Sequence, residues 1–126
     1  MKPTMTQSLE DYLEAIYIIR DEGRPAQVRD VASAVGVKMP SVVRALHELK
    51  KLELVVQQPY GPIELTAKGL RLAKHVLGRH KLISSFLIML GVSKRNADRD
   101  ACLMEHILSA ETLDKIRDYT EKKNKR

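Results

Sequence analysis

The feature that most constrains the fold is a short turn between two predicted helices in the first half of the chain. Residues 26–36, "AQVRDVASAVG", are predicted to form a short helix that Gly36 ends by adopting the left-handed conformation. After "VKM", the segment "PSVVRALHELKKL" is predicted to form the next helix, with Pro40 at its first position, where the missing N–H costs no hydrogen bond. A connection this short that contains a glycine predicts a helix-turn-helix.

The neighbouring segments extend this unit. A first helix is predicted to begin at Ser8 and to end near Gly23, because apolar residues recur on one of its sides. Residues 54–58 and 63–65 are predicted to be strands of a two-stranded hairpin, joined by "PYGP". Helix, short helix, turn, helix and hairpin in this order indicate a winged helix-turn-helix, whose third helix is expected to lie in the major groove of DNA.

The rest of the chain is predicted to be helical. Thr66 should cap a long helix, residues 94–108 should form another, and Ser109 should cap the last one. The predicted fold class is therefore mostly α. It has an N-terminal winged helix-turn-helix with a two-stranded β-wing in residues 1–70, followed by an all-helical domain in residues 71–126.

The composition argues against several classes of protein. One cysteine in 126 residues cannot form an internal disulfide, so the reducing cytoplasm is the expected location. No apolar run approaches the roughly 18 residues of a membrane helix, and the polar N-terminal segment lacks the apolar region of a signal peptide. The sequence has no HExxH, Gly-rich phosphate loop or nucleophile elbow, so an enzyme is not expected.

The net charge of +6 is distributed unevenly. Residues 1–65 contain 8 Lys and Arg against 9 Asp and Glu, whereas residues 66–126 contain 14 against 7. The predicted DNA-binding half is therefore nearly neutral, at −1, and the rest of the chain carries +7. Net charge alone is only a weak indication of nucleic-acid binding, so the argument depends on local residues.

Cationic side chains cluster around the predicted turn, where residues 38–51 contain four cations and one acidic residue. Arginine pairs with guanine or with phosphate, serine contacts either, and the hairpin could reach the DNA backbone or the minor groove. The residues predicted to contact DNA are Arg29, Lys38, Pro40, Ser41, Arg44, Gln57 and Tyr60. The alternative is that these are ordinary solvated side chains of a protein-interaction domain.

The segment "ACLMEHIL", residues 101–108, contains three potential metal ligands. At 100° per residue, Cys102, Glu105 and His106 lie within about 100° of one another on a helix, opposite the apolar residues. Thiol, carboxylate and imidazole all bind first-row divalent metals. The alternative is a small core cysteine beside a solvated Glu–His pair.

Other potential ligands lie on the first and the long helix. Asp11 and Glu14 are three residues apart and share one side of the first helix. The alternative for this pair is structural, because Ser8 and Asp11 have the spacing of a capping box. His75 and His80 on the long helix could both be solvated side chains.

Taken together, these segments resemble the diphtheria toxin repressor family of metalloregulators, including its manganese-responsive branch. The resembling segments, in chain order, are "SLEDYLEAIYII", "VRDVASAVGVKMPSVVRALHEL", "LTAKG", "GRHKL", "FLIMLGV" and "EHILS". The resemblance implies a homodimeric transcriptional repressor that binds double-stranded operator DNA and uses a divalent metal as corepressor. It also implies control of metal-uptake or homeostasis genes, a second domain that binds metal and dimerises, and no small organic substrate.

The resemblance further implies a set of ligands that combines two patterns. Cys102 matches a position that is Glu in manganese sensors and Cys in iron sensors. Asp11 matches the manganese branch, because iron sensors usually carry Met at that position. The implied metal ligands are Asp11, Glu14, His80, Cys102, Glu105 and His106.

Two positions depart from the pattern of the iron sensors. Ser84 stands where they carry a glutamate of their ancillary site, and Asp98 where they carry a histidine. An ancillary site of that type is therefore not expected. The resemblance is to the short form of the family, without the SH3-like domain of the longer relatives.

The expected metal is Fe(II), because a thiolate favours softer or borderline ions, and Mn(II) follows because it prefers carboxylate. Zn(II), Co(II) and Ni(II) are expected to bind at least as tightly in vitro, by the Irving–Williams order. Six ligands could hold one ion or two. The alternative function is a metal-independent winged-helix regulator that senses oxidation through Cys102.

Overall fold

The computed structural model of the protein describes residues 6–124, with side chains to residue 123, so residues 1–5 and 125–126 of the two predicted domains lie outside the described residues. The elements in this range are α1 (Gln7–Asp21), α2 (Val28–Val35), α3 (Met39–Lys51), β1 (Val55–Gln57), β2 (Ile63–Leu65), α4 (Ala67–Met89), α5 (Lys94–Met104) and α6 (Ala110–Asn124). The predicted fold class is confirmed, since a helix-turn-helix with a two-stranded wing is followed by helices alone.

The chain forms two compact units that divide between Lys74 and His75, inside α4. Among the described residues, no helix combines the length and the apolar character needed to cross a bilayer. A functional division between residues 1–70 and 71–126 stays a prediction.

The first unit is built around the buried sides of its first three helices. Leu13 and Ile16 of α1, Val31 of α2, and Val42 and Leu49 of α3 are fully buried in one core. These residues follow the helical spacing that the sequence predicted for α1 and α3. The core therefore holds α3 by one side and leaves its other side exposed.

The predicted turn between α2 and α3 is present. Gly36 caps α2 with a φ of 82°, in the left-handed region, and its N–H donates to the carbonyl oxygen of Ala32 at 2.9 Å. Lys38 is the N-cap of α3, so Pro40 is the second residue of this helix. The sequence had predicted that Pro40 would be the first residue. Proline is tolerated at either position, because the first N–H groups of a helix have no intrahelical partner.

The start of α1 differs from the prediction. The hydroxyl of Thr6 accepts a hydrogen bond from the backbone N–H of Leu9 at 3.1 Å, so Thr6 is the N-cap. Ser8 and Asp11 lie inside the helix. The capping-box interpretation of these two residues was therefore wrong.

The wing is a short antiparallel hairpin in which Val55 pairs with Leu65 and Gln57 with Ile63. The N–H of Ile63 also donates to the carbonyl oxygen of Ala26, a residue outside the two strands, at 2.8 Å. The hairpin is thereby fastened to the segment that precedes α2. Its position next to the helix-turn-helix is fixed by backbone hydrogen bonds.

The start of α4 is fastened to the segment before the wing. As predicted, Thr66 caps the helix, since its hydroxyl accepts from the N–H of Gly69 at 3.0 Å; it also donates to the carbonyl oxygen of Glu53 at 2.7 Å. Gly69 is buried, and a Cβ at this position would overlap the carbonyl oxygen of Leu54. A glycine is therefore required at the point where the first turn of α4 approaches Leu54.

The second unit has a small aliphatic core. Ile83 of α4, Ala101 of α5 and Leu113 of α6 are buried together, and three half-buried side chains pack on them. Those three are Leu87, Met104 and Leu108.

Helix α5 ends earlier than the prediction of a helix over residues 94–108. It ends at Met104, whose carbonyl oxygen accepts hydrogen bonds from the N–H groups of Ile107 and Leu108, both at 3.1 Å. Ser109 then caps α6, as predicted, by accepting from the N–H of Thr112 at 3.1 Å. The early end lets Leu108 pack on the core immediately before the next helix begins.

Candidate functional site

Three potential metal ligands converge within the second unit. The Glu105 carboxylate is fully buried, and one of its oxygens lies 3.2 Å from Nε2 of His106. Its other oxygen lies 4.0 Å from Nδ1 of His80. The predicted pair of Glu105 and His106 is thus brought together with the histidine of the long helix.

The separations in this His–Glu cluster (His80, Glu105 and His106) can be compared with the geometry of a metal site. Two ligand atoms about 2.0–2.2 Å from one ion lie about 3 Å apart when they bind at right angles, and about 4.2 Å apart when they bind on opposite sides. Both measured separations lie in that range. Nδ1 of His80 is buried and has no hydrogen-bond partner among the described residues. Glu105 could therefore share a divalent ion with either histidine.

The end of α5 positions two of these ligands. Glu105 is the C-cap of the helix, and its N–H donates to the carbonyl oxygen of Ala101 at 3.0 Å. His106 follows in a tight turn, where its N–H bonds to the carbonyl oxygen of Leu103 at 3.3 Å. The rotation of 100° per residue therefore applies only to the end of the helix, and the turn, rather than a helical face, positions His106.

The apolar residues of this segment, predicted to lie opposite the potential ligands, differ in their burial. Met104 and Leu108 pack on the core, but Leu103 is 56% exposed and Ile107 is 77% exposed. The exposure of Ile107 follows from the end of α5 at Met104, because residues beyond a helix end no longer follow its periodicity, whereas Leu103 lies within the helix on its exposed side.

Cys102 lies in the last turn of α5 and is half-buried. It is neither a fully buried core residue nor a fully solvated one. Its place in the ligand set stays a prediction.

Asp11 and Glu14 lie one turn apart on α1 and are both half-buried. Side chains three residues apart on a helix are neighbours, so one ion could take both carboxylates. The structural explanation through a capping box is excluded, because Thr6 caps the helix. Their role as ligands stays a prediction.

The two positions that depart from the iron-sensor pattern are bonded to each other. The hydroxyl of Ser84, which is 6% exposed, donates to Oδ1 of Asp98 at 2.6 Å, and Nζ of Lys94 donates to Oδ2 at 2.9 Å. The hydrogen bond from Ser84, followed by that from Lys94, holds the pKa of Asp98 below its ordinary value of 3.8. Spacing alone did not predict this bond, because it joins α4 to α5.

The residues predicted to contact DNA all lie in the first unit. Of those on the helix-turn-helix, four are exposed, namely Arg29 on α2 and Lys38, Pro40 and Arg44 at or near the start of α3. Ser41 is half-buried and accepts a long hydrogen bond of 3.4 Å from the guanidinium of Arg44. A surface groove of about 440 Å³ borders this part of α3, and it is lined by Thr6, Ser8, Leu9, Tyr12, Ser41, Arg44, Ala45 and Glu48.

The two predicted wing residues differ in their surroundings. Tyr60 is fully exposed at the tip of the hairpin, with a φ of 61°. Gln57 is half-buried, and its amide donates to the carbonyl oxygen of Gly61 at 3.1 Å and accepts from Nζ of Lys50 at 3.4 Å. Gln57 therefore braces the wing and connects it to α3, a structural role that its sequence position did not indicate.

Two family models match the chain and together cover most of it. Residues 4–63 match the model described as "Iron dependent repressor, N-terminal DNA binding domain". Residues 66–125 match the model described as "Iron dependent repressor, metal binding and dimerisation domain". The His–Glu cluster lies in the second of these segments, and the helix-turn-helix lies in the first.

Individual relatives agree with the family models. The chain is 39% identical over 120 residues to an uncharacterized HTH-type transcriptional regulator of Methanocaldococcus jannaschii, with 94% of this chain and 96% of the relative covered. It is 42% identical over 115 residues to the transcriptional regulator MntR of Escherichia coli, with 90% and 74% covered. The structure of the manganese regulator SloR superposes with a TM-score of 0.82 at 26% identity, and the match covers 93% of this chain and 55% of SloR.

Proposed function

The chain belongs to the iron dependent repressor family of metal-dependent transcriptional regulators, and we propose that it represses genes of metal uptake or homeostasis with a divalent metal as corepressor. The observation that carries the proposal is the His–Glu cluster in the segment that matches a metal-binding model. The same chain carries a helix-turn-helix whose α3 exposes cationic side chains. The helix-turn-helix and the His–Glu cluster lie in different matched segments of the chain.

The proposed ligands of the metal are His80, Glu105 and His106, completed by Asp11, Glu14 and Cys102. The first three are supported by the separation of Glu105 from each histidine, which fits an ion shared by that pair. Asp11 and Glu14 are supported by the family resemblance and by their position on one side of α1. Cys102 is supported by the resemblance to iron sensors and by its half-buried position.

The proposed physiological metal is Fe(II), with Mn(II) next. A thiolate in the ligand set favours Fe(II) over Mn(II), whereas three carboxylates suit Mn(II). The comparison protein SloR is described as a manganese regulator, and MntR relatives share about two fifths of the aligned residues, so manganese has support of its own. Zn(II), Co(II) and Ni(II) are proposed to bind in vitro but not to act as the cellular signal.

The family resemblance implies that ligands on α1 and ligands at the end of α5 bind the same ion, and such an ion would connect the two helices. Without metal, the carboxylates of Asp11, Glu14 and Glu105 carry the same charge and disfavour that connection. In the proposed homodimer, the connection would narrow the range of separations between the two α3 helices. Two half-sites on one side of DNA lie about 34–36 Å apart, so a narrower range favours operator binding.

Metal can tighten operator binding only as far as its affinity for the DNA-binding arrangement of the dimer exceeds its affinity for the other arrangements. A coupling free energy of about 1–3 kcal/mol, which is typical of allostery, corresponds to operator binding that is roughly 5–150-fold tighter with metal. The proposed place of action is the cytoplasm, where the operator DNA would be found. The second candidate, a metal-independent redox regulator, has less support because the metal-binding family model matches.

The ligand set can be tested by metal titration of matched variants. Glu105→Gln removes the charge of the cluster at nearly constant volume, whereas Glu121→Gln removes the charge of an exposed glutamate on α6. We expect Glu105→Gln to weaken Mn(II) binding at least about tenfold and Glu121→Gln to leave it unchanged. Equal affinity of the two folded variants would exclude Glu105 as a ligand.

A further inference from the structure

Three large apolar side chains are exposed around the start of α3. Val37 in the turn is 36% exposed, Met39 is 51% exposed and Val43 is 55% exposed. The buried side of the helix is formed by other residues, namely Val42, Ala45, Leu46 and Leu49. The exposed three therefore add little to the core, and the fold does not explain why they are apolar.

Met39 and Val43 lie one turn apart, so their side chains are neighbours on one side of α3. Single exposed apolar residues are common on protein surfaces and need no explanation. These two, however, lie among the exposed cations Lys38 and Arg44 at the helix end that is expected to face DNA. The cations complement the charge of phosphate groups, so a nucleic acid is the partner that this mixed surface fits.

The major groove of DNA presents one kind of apolar group, the C5-methyl group of thymine, and an apolar side chain recognises it by contact. A valine suits this task because its branched side chain has few rotamers and loses little freedom when a contact forms. Contacts from Lys38 or Arg44 to phosphate would position the chain without reading its sequence. An apolar contact to thymine adds discrimination between bases.

We propose that Val43, assisted by Met39, contacts thymine methyl groups and is a specificity-determining residue of operator recognition. The inference rests on the proposed function, since it requires that α3 enter the major groove. It adds to the predicted DNA contacts, which are all polar except for Pro40. It assigns part of the sequence preference to thymine.

The test uses the full chain with Mn(II) and an operator selected from random double-stranded DNA. Each thymine in the two half-sites is replaced by deoxyuridine, which removes only the methyl group, and affinity is measured by fluorescence anisotropy. We expect at least one position in each half-site at which the replacement weakens binding about fourfold, the value for about 0.8 kcal/mol from one buried CH₂-sized group. The variant Val43→Ala should bind the thymine and deoxyuridine forms of that position equally well.

Two variants serve as controls for the interpretation. Val56→Ala changes a valine of the same exposure, 53%, on β1 and should keep the full sensitivity to deoxyuridine. Val43→Thr keeps the shape of valine with one methyl group fewer, so it should lose part of the sensitivity to deoxyuridine. This variant still tests the proposal if Val43→Ala fails to fold. The proposal is wrong if no thymine position responds in the wild-type chain, or if both Val43 variants keep its response. Absence of any DNA binding would instead refute the proposed function.

Discussion

Replacement of two glycines on α4 by alanine should have opposite effects on stability. In an ordinary helix interior, Gly→Ala stabilises by about 1 kcal/mol, because alanine loses less backbone entropy on folding. At Gly69, however, the added Cβ would overlap the carbonyl oxygen of Leu54. The same oxygen accepts a hydrogen bond from the N–H of Thr66 at 3.0 Å, so the backbone cannot move away without weakening that bond.

The expected size of the Gly69→Ala effect follows from these contributions. Overpacking costs about 1–3 kcal/mol, a weakened backbone hydrogen bond about 1 kcal/mol, and the gain in helix propensity offsets about 1 kcal/mol. The free energy of unfolding should therefore fall by about 2 kcal/mol. Gly78→Ala is the matched control, because a Cβ there meets no atom within 4 Å, and the free energy of unfolding should rise by about 1 kcal/mol.

Both variants can be measured by urea unfolding followed by circular dichroism. A chelator and a single protein concentration should be used throughout, because metal binding and association both raise apparent stability. The slope of the free energy against urea concentration should be unchanged, so that the midpoint reports stability alone. A Gly69→Ala protein as stable as wild type would refute the inferred close approach of α4 to Leu54.

The remaining predictions concern a helix cap, a hydrogen bond and a thiol. Thr6→Ala should lower the free energy of unfolding by about 1 kcal/mol, whereas Ser8→Ala should leave it nearly unchanged; the reverse order would restore Ser8 as the cap. Ser84→Ala should raise the pKa of Asp98 towards 3.8. Because the folded pKa is lowered, this stabilisation is present above pH 3.8 and is lost as the pH falls through the folded value. The stability difference between Ser84→Ala and wild type should therefore shrink in acid, and a constant difference across an acid titration would contradict this. Cys102→Ala should fold normally and lower the response of DNA binding to metal, and an unchanged response would remove Cys102 from the ligand set.

The order of the elements could be predicted from the sequence because each boundary depends on local chemistry. Gly36 ends α2 in the left-handed region, Thr66 and Ser109 cap their helices, and the turn before Ile63 joins two strands, all as predicted. These signals act over a few residues, so they can be read without knowledge of tertiary structure.

Features that depend on packing could not be predicted in the same way. The end of α5 at Met104 accompanies the packing of Leu108 on a core shared with other helices. The bond between Ser84 and Asp98 joins residues 14 apart in the sequence, and no periodicity relates them. The structural role of Gln57 likewise arises from the path of the hairpin.

The candidate site likewise combines features that local sequence signals predicted with features that depend on packing. The ligand types were predicted from "ACLMEHIL" and from the family resemblance, but the meeting of His80 with Glu105 depends on how α4 packs against the end of α5. Helical spacing grouped Glu105 with His106 on one face of a helix. Glu105 instead caps α5 and His106 lies in the turn that follows it, 3.2 Å from the carboxylate.

The measurement that tests the account most directly is a titration of the protein on its own upstream DNA under anaerobic conditions. Binding would be measured first with a chelator, and then after separate additions of Mn(II) and Fe(II). If a divalent metal is the corepressor, binding should be roughly 5–150-fold tighter with metal than with the chelator, and Fe(II) should have a larger effect than Mn(II). Equal affinity in all three conditions would contradict the central claim that a divalent metal controls DNA binding by this chain.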